Sequence, residues 1–152
     1  MHKVNTTMRK MLLFAPLLAG TIALAGCQEE PVADLPDADL GGTLWTLQSL
    51  DVPGSPALLP DVAKIFSIQF FEDYHFEGDI DCNLLDGEYM LFRGDSIRFK
   101  DVRSTRINCR ESSNSLAQQY QTGISAVHSY KITGNRLQLF FDDSVLKYRN
   151  LE

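Results

Sequence analysis

Three features of this 152-residue sequence predict a mainly β fold: a small antiparallel β-barrel or rolled sheet of about eight strands, with one α-helix and one disulfide. From Thr43 onward, short runs suited to a pleated surface alternate with turn residues. After Cys109 alone the apolar period lengthens to that of a helix. Two cysteines, Cys82 and Cys109, flank a predicted strand pair, while the third, Cys27, sits at the end of an export signal.

The first 26 residues are set aside before any fold argument. Lys3, Arg9 and Lys10 precede a run from Met11 to Ala25 that is apolar apart from Thr21, too short for a mature membrane span and ending in small residues. The run closes with Leu24-Ala25-Gly26-Cys27, which resembles the lipobox of bacterial lipoproteins. That resemblance implies cleavage ahead of Cys27, acyl chains on its sulfur and a permanent membrane anchor, since two or more chains hold where one does not. Gln28, where Asp would imply inner-membrane retention, implies an outer-membrane address facing the periplasm.

Residues 27–42 then read as a lipidated acidic tether. Residues 28–42 hold two prolines, two terminal glycines and five acids without a base, a composition that cannot bury enough apolar surface to offset its ordering entropy. Residues 43–152 form the domain. Its first strand is Thr43 to Leu50, ended by Asp51-Val52-Pro53-Gly54. Lys64 to Phe71 and Tyr74 to Glu77 make a hairpin about Glu72-Asp73, and Gly87 to Phe92 and Ser96 to Lys100 another about Arg93-Gly94-Asp95. Leu116, Tyr120, Ile124 and Val127 recur at helical spacing, with Ser115 and Gln118 as a capping box and Gly123 as a weak point. Ser129 to Thr133, Arg136 to Phe141 and Val145 to Asn150 complete the set, joined at Gly134-Asn135 and Asp142-Asp143-Ser144.

Landmarks in this order resemble the META domain, or HslJ-like, family. They are Trp45 and Leu47, Phe70, Gly78 four residues ahead of Cys82-Asn83, Tyr89, Ser104-Thr105 with Cys109 beyond, the helix, and Leu137 with Leu139. The family's Gly before the Cys-Asn pair is Asp81 here, which leaves open whether the backbone takes the conformation reserved for glycine. Its Met-Ala before the second cysteine is Ile107-Asn108. The resemblance implies a compact, mainly β domain, often exported and lipid-anchored, linked in some members to stress or antibiotic tolerance. It brings no catalytic residues.

Cys82 and Cys109 are an even pair in an oxidising compartment once Cys27 is lipidated, so a disulfide is expected. Closing a loop of 27 residues stabilises by about 3 to 4 kcal/mol in the chain-entropy model. The rival is a redox or metal pair joined by His75 or His128, but neither cysteine lies in a closely spaced Cys/His cluster. Asn83 and Thr105 suit the holding of irregular loops, and Trp45, Phe70 and Tyr89 suit a core.

Removing the signal leaves 11 bases against 20 acids, a net charge of minus 9, which argues against a nucleic-acid partner. Six of those bases, Arg93, Arg98, Lys100, Arg103, Arg106 and Arg110, fall within 18 positions. They read either as a solvated face paired with Asp95, Asp101 and Glu111, or as an interaction face for an anionic or envelope-protein partner. No nucleophile elbow, metal motif or phosphate loop is present, so neither catalysis nor a cofactor is expected. The sequence thus points to a non-enzymatic, lipid-anchored envelope module supporting interaction or assembly. The alternative is a carrier holding a small apolar ligand or lipid inside the barrel.

Overall fold

A computed structural model describes residues 40–63, 65–109 and 114–150. Cys27, Arg110 and Glu111 lie outside them. The described residues form eight strands and one helix: β1 (Leu44–Asp51), β2 (Phe66–Phe70), β3 (His75–Ile80), β4 (Asn83–Phe92), β5 (Ser96–Ser104), α1 (Asn114–Ala126), β6 (Ser129–Thr133), β7 (Arg136–Phe141) and β8 (Ser144–Arg149). Each strand pairs antiparallel with its neighbour in sequence, and β1 pairs with β8, closing a barrel. Closure removes the free edges that an eight-strand sheet of this composition would expose.

Alternation sends Trp45, Leu47 and Leu50 of β1 inward. Leu47 and Leu50 are three apart, yet both face in because the register with β8 shifts at Gln48, where a bulge inserts one residue. The interior is packed with rings. Phe70 meets Tyr89 edge-on at 5.1 Å, Phe76 meets Phe99 at 4.8 Å, and Ile68, Leu137, Leu139 and Leu146 fill the space between. Edge-to-face contacts of this kind add about 0.5–1.5 kcal/mol each beyond area burial.

Between β5 and β6 the ladder thins to the single pair Ser96 and Ser129. Helix α1 lies between these strands in sequence and packs against β5, β3 and β7. Its Leu116, Tyr120 and Ile124, with Val127 just beyond its end, are the buried side chains that the four-four-three spacing foretold. Tyr120 donates to the Ser67 carbonyl at 3.2 Å, and the Tyr148 hydroxyl donates to that of Tyr120 at 3.1 Å. Gly123 has a packing reason: a Cβ there would sit 2.8 Å from the Phe141 ring, so its absence lets the helix approach β7. The helix begins at Asn114, so Ser115 lies within it and not ahead of it as a cap.

The boundaries of the domain and of several strands differ from expectation. Leu40, assigned above to the tether, is only 1 % exposed, and the Gly42 N–H donates to the Phe70 carbonyl at 2.8 Å, so residues 40–42 belong to the folded domain. β3 continues to Ile80 and β4 starts at Asn83 instead of Gly87, making a tight turn at Asp81-Cys82. β5 continues to Ser104, past a break in alternation at Asp101, whose φ is 52°. Asp81 does adopt the left-handed backbone, with φ 60°, so the glycine conformation is used without glycine.

Candidate functional site

The β3–β4 turn carries Cys82 at its second position, and residues 105–109 return alongside it after β5. The two cysteines form a disulfide with Cα atoms 5.8 Å apart. This bridge rules out Cys82 and Cys109 as metal ligands while it lasts, and no group of three His, Cys, Asp or Glu among the described residues is placed to hold a metal. Asn83 and Thr105 hold the returning segment. The Asn83 Oδ1 accepts from the Ile107 N–H at 2.6 Å and from the Thr105 hydroxyl at 3.0 Å, while its Nδ2 donates to the Ile107 carbonyl at 3.1 Å. The Leu84 N–H donates to the Thr105 hydroxyl at 2.9 Å. Both residues therefore fix a loop, as their residue types suggest.

His75 and His128 do not converge. His75, at the start of β3, is hydrogen-bonded to Asp73 and stacked on Phe71 at 4.1 Å. That hydrogen bond holds the Asp73 carboxyl below its usual range. The His128 backbone bonds to Ile97 and Phe140, and β4 and β5 lie between the two imidazoles in sheet order. Buried tyrosines carry the other shifted groups. Desolvation, with lesser contributions from Tyr74 and Asp73, pushes Tyr89 up to about 12, and burial raises Tyr120 and Tyr148 as well.

The basic run predicted as an interaction face lies on β5 and the segments flanking it. Arg93, Arg98, Lys100, Arg103 and Arg106 are all exposed, but acids stand among them. Arg103 contacts Asp86 at 2.6 Å, Lys100 contacts Asp101 at 3.9 Å and faces Glu88 across the ladder, and Arg98 lies over the Phe92 ring at 5.2 Å. Asp101 pairs with Lys100 as the sequence suggested, while Arg103 is compensated by Asp86 on β4; a cross-strand partner 17 positions away is invisible in a linear charge run.

Open clefts of about 790, 460 and 340 Å³ lie among the described residues. The 790 Å³ cleft runs over the outside of β1, β8, β7 and β6, and the other two over the outside of the strands from β1 to β5. The barrel axis itself is filled by the packed rings and aliphatic side chains described above.

With the barrel, its helix and its bridge in place, the family question is answered by a model of the META domain, which matches residues 38–151. The chain belongs to the META domain family. Among solved structures, the META domain here resembles an NMR structure of a protein from Burkholderia xenovorans, with a TM-score of 0.63, 18 % identity, and coverage of 90 % of this chain and 98 % of that one. A second NMR structure matches with a TM-score of 0.59 and 23 % identity over 76 % of this chain and 95 % of that one. A crystal structure of a DUF4847 family protein from Bacteroides vulgatus matches with a TM-score of 0.56 and 13 % identity over 74 % and 95 %. At these identities the likeness is one of fold. The comparison with curated proteins found no match.

Proposed function

We propose that this META domain is a lipid-tethered module of the bacterial cell envelope that acts by binding through its outer surface. The observation carrying this reading is the filled interior. Trp45, Phe70, Phe76, Tyr89 and Tyr148 are buried together inside the barrel, which weighs against the carrier alternative. Recognition then falls to the exterior. The lipobox-like Leu24-Ala25-Gly26-Cys27 supports an anchor, and Gln28 an outer-membrane address facing the periplasm. The mixed-charge β4–β5 face, where Arg98, Lys100 and Arg103 stand beside Asp86 and Glu88, suits a protein partner of alternating charge. Such a module supports envelope assembly or tolerance of stress without performing chemistry.

Photo-crosslinking groups placed at Arg98 and Lys100 in intact cells test the reading. A discrete crosslinked envelope protein, lost on charge reversal of Arg103, is expected. Unmodified Cys27 in envelope-purified protein would sink the tether, and charge reversal of Arg98 and Arg103 without any envelope phenotype would remove the proposed face.

A further inference from the structure

The bases outside the β4–β5 run were given no role by their positions in sequence. Lys64 apart, the remaining four of the mature chain's 11 are Lys131, Arg136, Lys147 and Arg149. All four line the cleft of about 790 Å³ on the outside of β6, β7, β8 and β1. Strand register orders them. Arg136 on β7 stands directly opposite Arg149 on β8, and two residues further along the strands Gln138 stands between Lys131 and Lys147. Inward-facing neighbours Leu137, Leu139, Leu146 and Tyr148 show that these side chains point outward.

Two guanidinium groups facing each other across a ladder are destabilising in the absence of a counter-charge. Among the described residues, Lys131, Arg136 and Arg149 make no ion pair, and Lys147 alone is matched, by Asp51. On β5 Lys100 and Arg103 each have an acid beside them, whereas the opposed Arg136 and Arg149 have none among the described residues. The groove is thus opposite in sign to the protein as a whole. An oxyanion seated between the two guanidinium groups would supply the missing counter-charge.

The lining narrows the class of anion. Lys131 lies two strand residues along from the Arg136/Arg149 pair, about 7 Å at the rise of a β-strand, while Lys147 across Gln138 is held by Asp51. Between and beside them lie Gln48, Thr133, Asn135 and Gln138, neutral groups that both donate and accept. Two cationic positions joined by amides and hydroxyls match a ligand with two oxyanion groups joined by a hydroxylated body. We infer that this groove binds a bis-phosphorylated sugar, the guanidinium pair taking one phosphate in the forked geometry arginine favours and Lys131 the other. A protein partner fits less well because the lining holds no exposed aromatic anchor. The inference goes beyond the β4–β5 reading and holds whether or not that face engages a protein.

The test is titration of the full chain with a hexose bisphosphate, followed by amide NMR and thermal unfolding. Saturable shifts at Arg136, Gln138 and Arg149, with a rise in Tm, are expected. Arg136→Gln should weaken binding by about tenfold or more while leaving the ligand-free Tm unchanged or higher, because it removes the opposed charge. Lys131→Gln, at a strand edge, gives a second variant, and Arg98→Gln on the other face should leave affinity unchanged. Inorganic phosphate binding as tightly as the bisphosphate would overturn the sugar assignment. Binding only to phosphatidylglycerol vesicles would replace it with a membrane-facing role, and equal loss in Arg98→Gln would reduce the effect to the protein's general field. No saturable binding overturns the site outright.

Discussion

The side chain of Asn83 bonds to the backbone of Ile107 at both ends, accepting from its N–H and donating to its carbonyl, as a neighbouring strand would. A primary amide is the smallest side chain able to do both at this reach. Asn83→Asp keeps the acceptor and loses the donor, so it should cost about 1 kcal/mol in chemical denaturation. Reduction of Cys82–Cys109 by dithiothreitol should also be faster in that variant, because the returning loop is less well held. Unchanged stability and unchanged reduction rate would show the contact to be idle.

Cys82→Ser with Cys109→Ser frees a loop of 27 residues. The expected loss is about 3 to 4 kcal/mol. Urea unfolding of the variant against the oxidised parent measures it, and reducing the parent should reproduce most of the same loss.

Gly78 on β3 lies against β2 so closely that a Cβ would fall 2.3 Å from the Ser67 carbonyl oxygen, the same oxygen that accepts from Tyr120. Gly78→Ala must move backbone, not a flexible side chain, and should cost about 1–3 kcal/mol. Gly41→Ala, with open space at its Cβ, is the control and should be near neutral by the same measurement.

Burial raises Tyr89 to about 12 and moves Tyr120 and Tyr148 in the same direction. A raised folded value gives stability that is complete below the unfolded value of about 10 and falls as pH rises toward the folded value. The domain should therefore lose stability from about pH 10 to 12, visible in Tm against pH. Tyr89→Phe, which gives up the bond to the Phe71 carbonyl at 2.8 Å, should show a shallower alkaline decline.

Lys147 and, to a lesser degree, Ser49 hydrogen-bond Asp51 and hold its carboxyl below 3.8. A lowered folded value gives stability present above the unfolded value and lost as pH falls through the folded one. Lys147→Met should thus flatten the decline in Tm below about pH 4, at a cost of about 0.2–1 kcal/mol near neutrality, as for other partly exposed pairs.

Strand number, helix and bridge were legible because each leaves a local mark. The helix announces itself in four apolar residues at one period, and the hairpins in Gly94, Gly134 and Asp142, all of which take positive φ. What the sequence hid depends on neighbours in space. The turn formers Asp81, Asn83 and Asp86 read as a loop, yet Asn83 and Asp86 are strand residues, laddered to Ile80 and Glu77 of β3, and their side chains meet Ile107 and Arg103 across the fold. Leu40 read as tether because its own neighbourhood is acidic and broken by glycine, and only the barrel end supplies its apolar surroundings. The β6–β8 cations escaped notice for the complementary reason. Spread over 19 positions, from Lys131 to Arg149, they form no run, and register alone gathers them.

Joining β1 to β8 makes the first strand wait for the last. Once the chain is free to fold, every ladder from β2 to β5 can zip from its own two strands, but Thr46 and Leu47 of β1 have no β8 partner until Tyr148 and Arg149 arrive. A chain stalled or clipped a few residues before Arg149 therefore presents an unpaired strand and a wet core together, which is the form quality-control proteases recognise. The last turn of the gene acts as the latch on the whole container.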